Sequence, residues 1–323
     1  MLAVLARADP RTKGILCIVS AMVFLSANDS IIKWLSPTYP LHEIVLVRAV
    51  VGLMLSLVFV QLEGGWRTLR TRRPLMHLVR GLLIVVANMA FFLALASLPI
   101  AEAVALFFIA PLVITMLSVV FLGERVGLRR WLAVLAGLVG VVIMLRPGFE
   151  AVTLAAILPL FAALAYGAMQ ILTRRLGVTD KAGSLTFYVQ ITFVAVAAAI
   201  GLAIGDGRFA GSDNTTLEFL FRAWIWPTWT DGLLMVLCGS LIACGGYLSF
   251  QAYRTAEAAV VAPFEYTALP LALFWGYQLW GDWPDAVSFL GIALIVGGGL
   301  FVFYRETVHA RFVAADRPMP PDR

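Results

Sequence analysis

Gly14–Trp34 reads GILCIVSAMVFLSANDSIIKW, an apolar run broken near its end by Asn28 and Asp29 and closed by Lys33. An uninterrupted apolar stretch of about 20 residues matches the hydrocarbon thickness of a bilayer, whereas a buried core helix needs far fewer. The stretch therefore reads as a membrane span that carries polar groups for a reason. Nine further runs of the same kind follow, at 42–62, 77–98, 100–122, 129–146, 152–172, 184–205, 232–253, 258–280 and 285–304. The 323-residue chain is 61% hydrophobic and 13% charged with a mean hydropathy of +0.92, against about 25% charged residues in an average soluble domain. These figures exclude a water-soluble fold and leave little chain for a soluble domain. The first run follows a basic N-terminus, as a secretory signal would, but it lacks a cleavage pattern and nine spans follow, so it is read as a retained helix.

Charge sorts by side. With the N-terminus inside, 19 of the 24 Lys and Arg fall in inner segments, 4 in outer ones (Lys33, Arg146, Arg208, Arg222), and the last, Arg48, inside a span. Positive residues concentrate on the cytoplasmic side, so both termini are expected in the cytoplasm and the span count is even. The net charge of +5 thus reflects topology, and nucleic acid is not an expected partner. Cys17, Cys238 and Cys244 all lie in spans, without disulfide or metal spacing; they read as packing residues, and neither metal nor cofactor is expected.

The chain repeats itself. Ala101-Glu102-Ala103 recurs as Ala256-Glu257-Ala258, Gly123-Glu124 as Gly281-Asp282, and Gly140 as Gly298; the first and sixth spans align with Asn28 opposite Gln170, Lys33 opposite Arg175 and Arg48 opposite Gln190. Five spans per half is an odd number, so the second half enters from the opposite side. The loop charges agree, GERVGLRR being basic and GDWPD acidic. Inverted repeats are characteristic of secondary transporters with a site between the halves. The expected fold is an all-α polytopic membrane protein, ten transmembrane helices as two inverted five-helix repeats: 1–13 a cytoplasmic N-terminus, 14–148 and 149–304 the repeats, 305–323 a cytoplasmic tail.

Two halves of five spans, a Gly-Glu or Gly-Asp near the end of the fourth span of each, and glycine-rich fifth spans resemble the EamA-type members of the drug/metabolite transporter superfamily. Asn28–Trp34 (NDSIIKW) and Arg73–Leu83 (RPLMHLVRGLL) resemble the branch that contains S-adenosylmethionine carriers and amino-acid permeases. The resemblance implies a carrier of a small organic solute in a bacterial inner membrane; a monomer is the expected state, although the sequence does not itself set the oligomeric state. The first expectation is an amino acid or related metabolite, with S-adenosylmethionine or a vitamin as the alternative of the same fold.

Ionisable groups inside a bilayer are costly and point to a wet cavity or a partner. Asp29 and Arg48 lie about six residues from the outer ends of their spans, so at 1.5 Å per residue both are roughly 9 Å deep. They are expected to meet, with Glu43 as a competitor. Two readings stay open: an ion pair fastening two helices, or a fork for a substrate carboxylate beside a group that accepts an ammonium. Glu265 lies mid-span with no basic residue at its depth, either as a proton- or amine-binding group or as a protonated carboxyl bonded to a neighbour. Pro111, Pro263 and Pro270 are candidate kinks. Asn28, Gln170, Asn88, Tyr247, Gln251 and Tyr266 complete a polar lining, with Phe107, Phe108 and Trp275 as apolar walls or ordinary core contacts. Glu102 reads as a helix-end cap and Lys33 as a snorkelling end residue. The 206–231 loop is outside, its three tryptophans suited to the headgroup level and its body able to form a lid. No histidine stands where it could activate a nucleophile and no phosphate-binding glycine loop occurs, so an enzyme is not expected; an intramembrane enzyme is the alternative from a different class.

Overall fold

The computed structural model describes residues 10–71, 73–122, 128–145, 154–176, 182–255 and 262–315. Among them the chain is helical, with α1 at Pro10–Leu35, α2 at Leu41–Leu62, α3 at Pro74–Leu95, α4 at Ile100–Phe107, α5 at Ala110–Leu122 and α6 at Leu128–Leu145. The second part holds α7 at Leu154–Leu176, α8 at Ala182–Ile204, α9 at Thr215–Phe221, α10 at Trp229–Thr255, α11 at Ala268–Trp280 and α12 at Ala286–Ala315, with 3₁₀ segments at Trp66–Leu69 and Ala262–Thr267. Gly123-Glu124, Ala256-Glu257-Ala258 and the terminal RPMPPDR lie outside the described residues.

Proline sets several helix starts. Pro74 is the first residue of α3, and Pro40 and Pro99 are the N-caps just before α2 and α4, places where a missing N–H costs nothing because no intrahelical acceptor exists there. Seven stretches are long and apolar enough to cross a bilayer: Thr12–Leu35, Leu41–Leu62, Pro74–Leu95, Ile100–Phe121, Ala155–Leu172, Gly183–Ile204 and Trp229–Ser249. Helix also occupies the other three apolar runs, as α6, α11 and α12. Outward stripes such as Leu132, Leu135, Val139 and Val142 on α6 are about half exposed, the pattern of a protein whose surroundings are as apolar as its core.

The helices pack in specific pairs: α1 on α10, α2 on α8, α3 on α7, α4 on α11, and α6 on α12. Glycine permits the closest of these. A Cβ at Gly140 of α6 would sit 2.8 Å from the Gly291 carbonyl oxygen of α12, and one at Gly239 of α10 would sit 2.7 Å from the Arg48 carbonyl oxygen of α2.

Two runs are broken. The fourth divides at Phe108–Ile109, where the Leu112 amide donates to the Ile109 carbonyl at 2.9 Å, one residue short of the α-helical partner. Pro111 supplies the reason, since it has no N–H to give the Phe107 carbonyl. In the ninth run the described residues form the 3₁₀ segment Ala262–Thr267, which carries Pro263 and Glu265, and pass into α-helix at Ala268.

The segment Asp206–Asp231, expected outside, is docked by specific bonds. Tyr39 donates to Asp231 at 2.8 Å, Arg222 to the Ser36 carbonyl at 3.0 Å, and Asn214 caps α9 by accepting from the Thr216 and Leu217 amides. Trp226 and Trp229 remain more than four-fifths exposed, as headgroup-level residues would be. Glu218 accepts from the Gly211 amide at 2.8 Å and from Ser212 at 3.2 Å and pairs with Arg222 at 3.6 Å. These bonds, led by the Gly211 amide, hold its carboxyl below the ordinary carboxylate value of 4.5. A depressed folded value stabilises above the unfolded one and is lost as pH falls through the folded value. Amide exchange at Gly211 and Ser212, corrected for intrinsic pH dependence, is therefore expected to rise only below about pH 4.5, and Glu218→Gln to show the fast exchange already at neutral pH.

Candidate functional site

Among the described residues Arg48 is the largest of the fully buried side chains, 1% exposed. Its guanidinium lies between two phenyl rings, 4.9 Å from Phe92 of α3 and 5.2 Å from Phe193 of α8. The ring faces attract the cation and leave only its in-plane edges for hydrogen bonds. On those edges Nε and Nη1 have no acceptor among the described residues.

The expected ion pair with Asp29 is not closed. Asp29 is within electrostatic reach of Arg48, but its Oδ1 accepts from Asn28 Nδ2 at 3.0 Å. Glu43 does not compete either: its Oε2 accepts from the Ile225 amide of the outer segment at 3.2 Å. Asn28 is 1% exposed, its Oδ1 has no donor among the described residues, and its carbonyl accepts a weak bond from Cys238 Sγ at 3.7 Å. The result is a buried cation, a half-buried carboxylate and a buried amide oxygen on α1 and α2, with Cys238 of α10 beside them. An unsatisfied buried polar group costs about 1–3 kcal/mol, more if charged, so such a cluster is retained for something other than stability.

A second group forms around the broken runs. Phe107 lies 5.4 Å from Phe91 and 5.5 Å from Tyr166, Phe108 lies 5.0 Å from Tyr266, and Gln170 donates to the Tyr166 hydroxyl at 2.9 Å. Glu265 is in electrostatic reach of Tyr166 and Tyr266, and Tyr166 in turn of Arg80. Glu265 therefore has tyrosine neighbours, with Arg80 reaching the first of them. Arg80, read from the sequence as an inner-surface charge, is buried within α3. Trp275 has its Nε1 buried without an acceptor among the described residues.

A third group is separate: Gln251 donates to Tyr247 at 3.0 Å, whose ring stacks on Phe59 at 4.5 Å. Asn88 turns back on its own helix, donating to the Ile84 carbonyl at 3.1 Å. Lys33 does not snorkel outward but donates to the Leu95 and Leu98 carbonyls at the end of α3, beneath the Trp280 ring. Glu102 accepts from Ser288 at 3.2 Å and lines, with Asp282 and Trp283, an outer depression of about 340 Å³ that none of the candidate solute residues lines.

Sequence reasoning missed Phe92, Phe193 and Cys238, which come to Arg48 from three other helices. Phenylalanine is too frequent here, at 21 residues, for any one to stand out without coordinates.

Residues 12–146 match the family model described as the EamA-like transporter family. A riboflavin transporter of Rhizobium johnstonii is 31% identical over 91% of this chain and 91% of that protein. The chain belongs to the EamA-like transporter family. An S-adenosylmethionine uptake transporter of Rickettsia bellii is 27% identical over 91% of this chain and 94% of that protein, and a pseudopaline exporter of Pseudomonas aeruginosa is 26% identical over 89% and 95%. A crystal structure at 19% identity shares the fold, with a TM-score of 0.64 over 95% of this chain and 99% of that one. As an EamA-like chain it is a multi-pass membrane transporter of a small solute rather than an enzyme. The resemblance read from its sequence, including the branch with S-adenosylmethionine carriers, is the one these relatives show.

Proposed function

We propose that this chain is a secondary transporter of the bacterial inner membrane, carrying a zwitterionic solute with an amino-acid-type head group by alternating access. The carboxylate is taken by the free edge of Arg48, and the ammonium by Asp29 and the Asn28 Oδ1. The observation that carries the reading is Arg48 itself: fully buried, held by two rings, and without an acceptor among the described residues at Nε and Nη1. A guanidinium fork matches a carboxylate, and a carboxylate alone would leave Asp29 unanswered.

Ten spans in two inverted repeats, 14–148 and 149–304, with both termini cytoplasmic, supply the frame. Its support is the pairing of helices. Exchanging the halves turns the α1–α10 pair into the α7–α3 pair and maps α2–α8, α4–α11 and α6–α12 onto themselves, as a two-fold relation requires. The breaks in the fourth and ninth runs also correspond, and discontinuous helices commonly line transporter sites.

Among the relatives' substrates, S-adenosylmethionine has the zwitterionic head group this site fits. Riboflavin is the second reading, favoured by the aromatic series Phe92, Phe91, Phe107 and Tyr166, a wall suited to a flat ring system. Counter-flow of radiolabelled S-adenosylmethionine and riboflavin in proteoliposomes separates them. Exchange of S-adenosylmethionine that is lost in Asp29→Asn supports the first reading; riboflavin exchange indifferent to Asp29→Asn overturns it in favour of the second.

A further inference from the structure

Gly52 lies one turn inward of Arg48 on α2. A Cβ there would sit 2.7 Å from Gln190 Nε2 and 3.2 Å from its Oε1, so the Gln190 carboxamide of α8 occupies the space that any other residue at 52 would fill. Gln190 is 4% exposed and makes no hydrogen bond among the described residues. The contrast is internal: the span glutamines Gln170 and Gln251 each donate to a tyrosine hydroxyl four residues away. Phe193, three residues after Gln190, is the ring that covers Arg48 from α8. Arg48 and Gly52 therefore meet Gln190 and Phe193 across one helix interface.

A glutamine held for packing would be expected to find a partner, since its amide offers one acceptor and two donors and leaving them unmet is costly. We propose that Gln190 is the second solute-reading group of the Arg48 site and Gly52 its specificity-determining neighbour. Gln190 reads a donor–acceptor edge, such as an amide, imide or amino-heterocycle edge, on a solute whose anionic group rests on Arg48. Four residues of helix put the two contacts about 6 Å apart along α2. The inference rests on the reading of Arg48 as the anion-binding group and adds the chemical class of the solute's other end.

The test uses charged methanethiosulfonates, which need no identified solute. In a chain with Cys17, Cys238 and Cys244 replaced by alanine, Gln190→Cys in proteoliposomes is expected to react with the anionic sulfonatoethyl reagent at least about tenfold faster than with the cationic trimethylammonium one, the scale of electrostatic focusing. That preference disappears on adding Arg48→Met. Ile191→Cys, on the lipid-facing side of α8 at 43% exposure of the native residue, stays unreactive to both. Labelling of Gln190→Cys no faster than Ile191→Cys, or a preference that survives Arg48→Met, overturns the proposal. A second arm separates reading from packing. Gly52→Ala displaces Gln190 and lowers both Tm and flux; Gly52→Ala with Gln190→Ala relieves the clash, and is expected to recover Tm without flux. Recovery of both would make Gln190 a packing residue and overturn the proposal. If the wild-type chain exchanges neither riboflavin nor S-adenosylmethionine, the solute reading fails while the labelling result still decides the role of Gln190.

Discussion

Replacing Arg48 with methionine is expected to abolish saturable exchange while leaving the protein folded. Two charge-assisted hydrogen bonds at about 1.5–3 kcal/mol each amount to roughly a 10²- to 10⁴-fold loss of apparent affinity at 1.4 kcal/mol per decade. Stability moves differently. The guanidinium makes no ion pair with Asp29 and its Nε and Nη1 bind nothing among the described residues, so the desolvation cost of the charge is met only in part, by two ring faces and the nearby Asp29 charge. Removing a poorly compensated buried charge is often neutral or stabilising by about 1–4 kcal/mol, provided that its counter-charge goes too. The double variant Arg48→Met with Asp29→Asn should therefore keep or raise Tm in detergent and still show no exchange. Arg48→Lys keeps the charge but not the fork, and should lose most of the exchange as well. Counter-flow in proteoliposomes and a fluorescence-detected melting curve read both quantities; a large fall in Tm in the double variant would make Arg48 a structural fastener.

A paired substitution on α10 is expected to give the largest effects on stability. At Gly239 an added methyl would lie 2.6 Å from Val51 Cβ and 2.7 Å from the Arg48 carbonyl oxygen, whereas at Gly246 it meets nothing within 4 Å. Gly239→Ala must push α10 away from α2, which costs about 1–3 kcal/mol as overpacking generally does. It also shifts the backbone that carries Arg48, so transport falls with stability. Gly246→Ala makes the same chemical change seven residues along the same helix. With no clash to relieve, it should gain about 0.5–1 kcal/mol from reduced unfolded-chain freedom. Melting curves that move in the same direction for both would overturn the packing argument.

The apolar runs were legible because a bilayer imposes a length and a composition that no soluble helix needs, and helix occupies every run read from the sequence. The break at Phe108–Ile109 was legible too, from Pro111. Side-chain partnership was not. Asp29 and Arg48 are read at one depth and lie within electrostatic reach of each other, yet depth says nothing of azimuth, and a neighbour one residue away took the carboxylate before the arginine could. Glu43 shows the same limit, since its partner is the amide of Ile225, 182 positions along the chain. Gln190 carried a signal in its alignment with Arg48, but an amide opposite a guanidinium acquires meaning only once Gly52 is seen to make room for it.

The Lys33 ammonium on the Leu95 and Leu98 carbonyls ties the C-terminal ends of α1 and α3 together. A tether at one end of two rods converts any tilting between them into a fan, widest at the far end. Relative movement of this helix pair is then greatest at their N-terminal ends, with the lysine as its pivot.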